Sequence, residues 1–354
     1  MSTDPLFSMR PSLPVFDEAS ARQCRDHWDS LAKPLDGLGD LEEAVIRLGA
    51  VQKTHLPTLS NPRLLVFLSD NGIVEEGVSQ CDPSVTRSVA EAMARGASTV
   101  CHMARRANIP VHPLDVGICG APVPGIPLFR VRDGSRNFLR ESAMTSEETQ
   151  KAIRVGYDAA YSLFRDGCDA LLLGEMGIGN TSSATALSCA LLDMDPGEVV
   201  GRGAGLSSAQ LTHKSQVLRQ ALHFHASSVQ DPFRALCALG GYDIAGMIGA
   251  ILACGREHVP VILDGLITLC AALTAEALCP SIRHACLGSH FPRERMGRHI
   301  LSHLDLFTPL HANMALGEGT GAVLIVPLLQ VALALYHEGT TFEELGIPPY
   351  QRHS

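Results

Sequence analysis

Short, nearly continuous apolar runs constrain the fold of this chain more than any other feature of its sequence. Each run adjoins a polar or glycine-containing turn, and patterns typical of helices fill the segments between the runs. Strands that helices cover on both faces are apolar throughout, so these runs predict strands of a parallel sheet. The runs are RLLVFLSDNG, IPVHPLDVG, CDALLLGEMGIGN, VPVILDG, HACLGSH and AVLIVPLL.

Polar residues stand where the predicted strands end. Because ligands of open α/β sheets bind beyond the carboxyl ends of the strands, this placement indicates a binding site there. We predict an α/β fold with a parallel, Rossmann-like sheet flanked by helices. The terminal polar residues are Asp70, Asn71, Asp115, Glu175, Asn180, Asp264, Ser289 and His290.

Helical patterns indicate the domain organisation. Asp40 is placed to cap a helix over LEEAVIRLGAVQKTH, and Thr145 with Glu148 forms a capping box for another. A third pattern covers PSVTRSVAEAMARGASTVCHMARRA. We predict a small helical domain from residues 1–60 and 330–354, and a large α/β domain carrying the active site from residues 61–329.

Composition and charge exclude several classes of protein. The net charge is −9 without a basic, aromatic-interleaved run, which argues against a nucleic-acid partner. The first residues lack the apolar core of a signal peptide, and the apolar stretch 322–336 is short for a membrane span. Eleven cysteines without a CxxC pair are typical of a reducing compartment. We expect a cytoplasmic protein without a membrane partner, and the histidine spacing predicts no metal site.

The stretch GEMGIGNTSSATAL, residues 174–187, joins a predicted strand to a helix through glycines. Backbone N–H groups around Gly177, with the helix dipole near Asn180 and Thr181, would suit a phosphate or carboxylate. The alternative is a tight turn in which Asn180 or Thr181 caps the helix. The stretch matches neither the P-loop nor the dinucleotide fingerprint.

Two further stretches contain candidate charged residues. In VVGRGAGLSSAQLTHK, Lys214 follows the flexible turn around Gly203 and suits a phosphate, although an ordinary exposed lysine is the simpler interpretation. In ALGGYDIAGMIGAI, Asp243 either binds a hydroxyl group or caps the helix, and Gly246 and Gly249 allow close helix packing.

The stretch LGEGTGA isolates Glu318 between Gly317 and Gly319. With so little side-chain bulk beside it, the carboxylate is open to a ligand and suits a base for a weakly acidic N–H or O–H group. The alternative is a turn whose glutamate caps the next helix.

Together these stretches resemble the nicotinate-nucleotide–dimethylbenzimidazole phosphoribosyltransferase family, which activates the lower ligand of cobamides. KPLDGLGDLE is similar to the family's KPxGSLGxLE, and LSDNGIVEEGVS to its ADHGVxxEGVS. The other matches follow in the family's order along nearly the whole chain. They are GEMGIGNTSSA, VGRGAGL, GGYDIAGMIG, VILDGLIT, Ser289–His290 and LGEGTGA.

The resemblance implies the same two-domain fold and a dimer whose active site lies near the subunit contact. That dimer is either a homodimer or a heterodimer with a paralogous subunit. The implied reaction moves the 5-phosphoribosyl group of nicotinate mononucleotide to an aromatic lower-ligand base, without a metal or cofactor. It gives an α-riboside phosphate and nicotinate.

The resemblance also implies roles for individual residues. Glu318 is the implied catalytic base. The implied donor-binding residues are Glu175, Gly177, Asn180, Thr181, Gly203, Lys214, Asp243, Asp264, Gly317 and Gly319. The implied acceptor pocket comprises Cys81, Val89, Met176 and Leu316.

Four positions depart from the family pattern. Ala315 replaces an arginine that commonly precedes LGEG, and Asn71 replaces the histidine of ADHG. Cys81 and Val89 align with a serine and a glutamine common in benzimidazole-using members. A less polar pocket discriminates weakly, so we expect a broadened acceptor range of benzimidazoles, purines or phenols.

Two alternatives belong to other functional classes. A non-catalytic paralogous subunit that binds nucleotide is favoured by Ala315 and Asn71 but disfavoured by the intact LGEGTGA. A nucleotide-dependent dehydrogenase is suggested only by the glycine-rich turns, and the chain lacks the GxGxxG pattern with its later acid.

Overall fold

The computed structural model describes residues 16–203 and 205–352. Residues 1–15, 353 and 354 of the predicted helical domain lie outside the described residues. All structural statements below concern the described part of the chain.

One parallel sheet forms the centre of the protein. Its five strands have the order β2-β1-β3-β4-β5, and five of the six apolar runs are thereby confirmed as strands. The strand order reverses between β1 and β3, which is where a doubly wound sheet opens a ligand crevice. The strands are β1 (Pro62–Ser69), β2 (Val111–Gly117), β3 (Ala170–Met176), β4 (Val261–Leu263) and β5 (Cys286–Gly288).

Helices cover both faces of the sheet. They are α1 (Glu18–Ser30), α2 (Asp40–Gln52), α3 (Ser84–Ala94), α4 (Thr99–Arg106), α5 (Ser146–Arg165), α6 (Asn180–Leu192), α7 (Pro196–Val199), α8 (Ser208–Phe224), α9 (Pro232–Leu239), α10 (Tyr242–Glu257), α11 (Leu266–Leu278), α12 (Arg295–Leu304), α13 (Thr320–Glu338) and α14 (Phe342–Leu345). Two 3₁₀ turns, Gly72–Glu76 and Ile282–Ala285, complete the regular structure.

Neighbouring residues of β1 enter two different apolar cores. Leu65 and Phe67 pack with α5, α6 and α8 to α12, whereas Leu64 and Val66 pack with α1 to α4 and α13. Because both sides of β1 and β3 are buried, the centres of these strands are apolar without alternation. This burial is the physical origin of the sequence pattern that predicted them.

The two terminal segments pack against each other. The rings of Trp28 and Tyr336 lie 5.0 Å apart, and the Tyr336 hydroxyl donates to the carbonyl of His55 over 2.8 Å. Their apolar side chains nevertheless belong to the same core as Leu64 and Val66 of β1. The terminal helices therefore share a core with one face of the sheet, and α13 crosses the predicted boundary at residue 330.

Three local predictions were wrong. AVLIVPLL is the first part of α13, a helix of 19 residues with one buried face. Asp40 is the first residue of α2, and the cap position belongs to Gly39. A turn through Gly96, whose φ is +67°, divides the stretch after residue 83 into α3 and α4. The capping box of Thr145 and Glu148 is confirmed at the start of α5.

Helix α13 is long and apolar enough, by length and composition, to cross a membrane. Within the described structure, however, 56% of its most apolar window is buried inside the fold. Its buried side packs against β3, β4, α2 and α4. The buried apolar side chains of α13 thus belong to the protein core.

Close helix packing at Gly249 is also confirmed. A Cβ atom at that position would lie 1.9 Å from the carbonyl oxygen of Ile153, and one at Gly246 would lie 2.6 Å from the Phe67 ring. Only residues without a side chain allow α10 to approach α5 and β1 this closely.

Candidate active site

A cleft of about 370 Å³ lies at the carboxyl ends of β3, β4 and β5. Its walls come from the turn after β3, the start of α11, the end of β5, α3 with the loop before it, and the loop before α13. All but three of the predicted site residues line this cleft. The three exceptions, Lys214, Asp243 and Gly319, are buried.

The loop before α13 has an unusual backbone. Gly317, Glu318 and Gly319 have φ angles of +91°, +60° and +89°. A glutamate in the left-handed region costs roughly 1 kcal/mol, and such conformations are concentrated at functional sites. The loop also lies directly on β3, since a Cβ atom at Gly174 would come within 2.4 Å of the Glu318 carbonyl oxygen.

The carboxylate of Glu318 is oriented by another helix. Its Oε2 accepts a hydrogen bond of 3.1 Å from the backbone N–H of Val100, in the first turn of α4. Among the described residues, Oε1 has no hydrogen-bond partner, and the side chain is half-buried at the cleft. Glu318 does not cap α13, whose cap position is Gly319, so that alternative was wrong. One oxygen is fixed and the other is available to a ligand.

Asp264, at the end of β4, holds the other side of the same loop. Its Oδ1 accepts from the N–H of Gly321 over 2.7 Å, and its Oδ2 accepts from the N–H of Gly319 over 3.2 Å. Burial raises the pKa of Asp264 to about 7, although these backbone donors oppose the rise. Asp264 therefore positions the Glu318 loop in addition to lining the cleft.

Glu175, Asn180 and Asp243 form a buried hydrogen-bonded group. Asn180 Nδ2 donates to Glu175 Oε2 and, over 3.1 Å, to Asp243 Oδ2. Burial and the nearby Asp243 raise the pKa of Glu175 to about 8, while burial raises that of Asp243 to about 6. Asn180 is the first residue of α6 and does not cap it, because the cap position is Gly179. The buried group at the cleft therefore contains two acids whose pKa values lie above their usual range.

Lys214 is almost completely buried, so the interpretation as an ordinary exposed lysine was wrong. Its Nζ donates to Thr181 Oγ1 over 3.0 Å, the one hydrogen bond it makes among the described residues. Burial lowers the pKa of Lys214 to about 8, and the nearby Glu294 opposes that change. A buried cation with one neutral partner beside a glycine turn is arranged to receive an anion.

Part of the cleft lining is apolar. It includes Cys81, Val85 and Val89, from α3 and the loop before it, together with Met176 and Leu316. All four residues predicted for the acceptor pocket thus lie in one cleft.

Sequence analysis missed several supporting groups. Thr86 Oγ1 accepts from the N–H of Ile178 over 3.0 Å, and so holds the glycine turn against α3. Asn71, which sequence analysis did name as a polar residue at a strand end, is buried beneath that turn and accepts from the Ser183 hydroxyl over 2.9 Å. The donor of Val100 was also missed, although Ser98, which caps α4, marks the helix start. In the described part of the chain no group of three or more metal-ligating side chains is placed to hold an ion.

Comparison with known proteins identifies the family. A family model described as Phosphoribosyltransferase matches residues 13–347. The nicotinate-nucleotide–dimethylbenzimidazole phosphoribosyltransferase of Pseudomonas putida is 36% identical over 340 residues, which are 96% of this chain and 97% of the relative. The chain belongs to this family. The phosphoribosyltransferase of the same name from Chloroflexus aurantiacus is 36% identical over 333 residues, covering 94% and 95% of the two chains.

A solved member of the family has the same fold. The crystal structure of CobT from Thermus thermophilus has a TM-score of 0.86 and 35% sequence identity. The match covers 93% of this chain and 99% of the other. The predicted family and the α/β fold are confirmed.

Proposed function

We propose that the protein transfers the 5-phosphoribosyl group of nicotinate mononucleotide to an aromatic base, giving an α-riboside 5′-phosphate and nicotinate. This reaction would serve assembly of the cobamide nucleotide loop. The observation that carries the proposal is one cleft that joins a free carboxylate oxygen, Glu318 Oε1, to a glycine turn backed by the buried Lys214.

The eleven cysteines are all free, which supports a cytoplasmic location.

The donor occupies the side of the cleft at β3. Its phosphate contacts the N–H groups of the turn at Gly177 and Gly203, with Lys214 and Thr181 behind them. Its ribose lies over the carboxyl groups of Glu175 and Asp264, which orient the sugar by hydrogen bonds. The cation thus faces the phosphate and the acids face the sugar.

The chemical step needs one base. The bond between C1 and the pyridinium nitrogen breaks, and its electron pair goes to that nitrogen, so nicotinate leaves without a proton donor. The acceptor attacks C1 from the opposite face, and its N–H or O–H proton moves to Glu318 Oε1. The second oxygen, held by the N–H of Val100, keeps the carboxylate oriented during the transfer.

The acceptor ring packs on the apolar wall of Cys81, Val85 and Val89. A thiol and two methyl-bearing side chains select for shape and apolar surface more than for hydrogen bonds, so discrimination among flat aromatic acceptors is weak. We therefore propose that benzimidazoles, purines and phenols are all used. With a phenol the new bond is an O-glycoside, and Glu318 takes the hydroxyl proton.

Acceptor use is tested with the purified protein, nicotinate mononucleotide and a panel of benzimidazoles, adenine and phenols. Release of nicotinate, followed by chromatography with and without acceptor, measures turnover. We expect acceptor-dependent release with kcat/KM values that span about tenfold to a hundredfold across the panel, since apolar contacts discriminate weakly. No release with any acceptor would contradict the function, whereas strict preference for 5,6-dimethylbenzimidazole would contradict the broad pocket alone.

We propose that the active protein is a dimer, with a second copy or a paralogous subunit packed on α13. Leu324, Leu328, Val331 and Leu335 are large apolar side chains exposed along one side of this helix. Their spacing places them on a single stripe, and α13 begins two residues after Glu318. A partner on this stripe would lie near the catalytic loop.

Sedimentation analysis tests the dimer. We expect twice the mass of one chain for a homodimer, and a shift towards the monomer after Val331→Asp, because a carboxylate cannot be buried unpaired in an apolar contact. A monomeric wild type that turns over fully alone would contradict the proposed dimer. A dimer unaffected by the substitution would place the contact elsewhere.

A further inference from the structure

His290 lines the cleft, yet the reaction described above gives it no task. It follows β5 and is largely buried, with an exposed fraction of 3%. It lies beside Asp264 and against the start of α13, where a Cβ atom at Gly321 would come within 2.1 Å of His290 Nδ1. The imidazole is therefore held tightly at the edge of the site.

The hydrogen bonds of the neighbouring Ser289 decide which ring nitrogen carries the proton. Ser289 Oγ donates to the carbonyl oxygen of Asp264 over 3.4 Å and lies 3.0 Å from His290 Nδ1. With Nδ1 as the donor to Oγ, both contacts of Ser289 are satisfied, whereas a hydroxyl that donated to Nδ1 would leave the carbonyl contact unmade. The carboxylate Oδ1 of Asp264, 3.9 Å from Nδ1, favours the same tautomer.

This tautomer leaves a lone pair on Nε2. Among the described residues, Nε2 has no hydrogen-bond partner. The ring lines the cleft, and Nε2 is not among the completely buried polar atoms without a partner. Burial also lowers the pKa of His290, which keeps the ring neutral at physiological pH. The cleft therefore contains a neutral acceptor atom on a buried ring.

We infer that His290 Nε2 accepts a hydrogen bond from a ribose hydroxyl group of the bound donor. The inference rests on the proposed function, because it names a contact to the same mononucleotide. A sugar hydroxyl matches the site because it supplies the donor that the lone pair lacks. A hydrogen bond to the hydroxyl next to C1 also strengthens as positive charge develops on the ring. His290 thus acts as a substrate-binding residue and moves no proton.

The test combines enzyme variants with donor analogues. Wild type, His290→Ala and His290→Gln are assayed with nicotinate mononucleotide and with its 2′-deoxy and 3′-deoxy forms. Loss of a hydrogen bond to a buried acceptor costs about tenfold to a hundredfold in kcat/KM, so we expect wild type to lose that factor with one of the two analogues. With the natural donor, kcat/KM of His290→Ala should be lower than that of wild type by a similar factor. Exchanging the natural donor for that analogue should then lower kcat/KM of His290→Ala little further. His290→Gln, whose side-chain oxygen is an acceptor, should retain part of the coupling.

Several outcomes decide the assignment. If each deoxy analogue lowered kcat/KM by the same factor in wild type and in His290→Ala, the assignment would be overturned, because the two changes would then act independently. If His290→Ala does not fold, the same comparison is made with Ser289→Ala, which frees the ring to turn and should weaken the coupling. His299→Ala, on the exposed side of α12, is the matched control and should behave as wild type. A wild type inactive with the natural donor would refute the proposed function instead.

Discussion

Replacing Glu318 by glutamine is expected to lower kcat by about a hundredfold to ten-thousandfold, the usual contribution of a positioned general base. The amide is close in shape to the carboxylate and retains an oxygen that can accept from the N–H of Val100, so the loop should keep its conformation. Donor affinity, measured by titration calorimetry, should change little. Turnover is measured as nicotinate release in a single-turnover experiment with saturating acceptor.

The matched control is Glu338→Gln, an exposed glutamate at the end of α13, the helix that follows the Glu318 loop. It should leave kcat unchanged. If Glu318→Gln turned over at a rate near that of wild type, the proton would have to go to another group, and the assignment of the base would be wrong.

Replacing Lys214 by methionine is expected to separate activity from stability. The variant loses a charge-assisted hydrogen bond to the donor phosphate, worth about 1.5–3 kcal/mol, so KM for the donor should rise roughly tenfold to a hundredfold. Removing a buried cation that has one neutral partner should at the same time raise the free energy of unfolding by about 1–3 kcal/mol. Chemical denaturation measures the second quantity and initial rates measure the first.

The acidity of Lys214 adds a pH dependence to this prediction. Its pKa is lowered to about 8 in the folded chain, against 10.5 for a free lysine, so the unfolded chain binds more protons between these values. Its contribution to the free energy of unfolding therefore rises with pH across that interval, and the methionine variant should lack this rise. Donor KM of the wild type should increase above about pH 8, as the ammonium loses its proton.

Two controls test whether Lys214 contacts the donor phosphate. Lys151→Met, at an exposed position of α5, should alter neither quantity. Nicotinate riboside, which lacks the phosphate, should bind wild type and Lys214→Met equally well. If the substitution weakened binding of riboside and mononucleotide by the same factor, the phosphate contact would be refuted.

The sheet could be predicted from the sequence because strands buried on both faces appear as continuous apolar runs. The central residues of β1 and β3 are apolar whichever way they point, and such runs are visible without knowledge of their partners. AVLIVPLL shows the limit of this argument. A helix buried along one face can contain an equally apolar run, and only its length distinguishes it from a strand.

The position of Glu318 was accessible from the sequence because the glycines around it record a steric fact. The backbone of the Glu318 loop crosses β3 at Gly174 and Gly319, and a side chain at either position would block this approach. The short distance between the Glu318 carbonyl and β3 illustrates it. The family resemblance then implied a role that spacing alone left open. Local sequence thus carried the geometry of the loop.

What the sequence could not give was the set of contacts between distant segments. Asn180 meets Asp243, which lies 63 residues away, and the N–H that orients Glu318 belongs to a residue 218 positions earlier. Lys214 resembles a surface lysine in its local sequence, and only the packed structure reveals its burial. Interactions of this kind depend on tertiary packing, which leaves no periodic pattern.

A crystal structure with nicotinate mononucleotide and an acceptor analogue bound together tests the central claim most directly. We predict that the N–H or O–H of the acceptor lies about 2.6–3.2 Å from Glu318 Oε1, with the phosphate beside Lys214. An acceptor ring bound away from this carboxylate, or a phosphate at the opposite end of the cleft, would contradict the account.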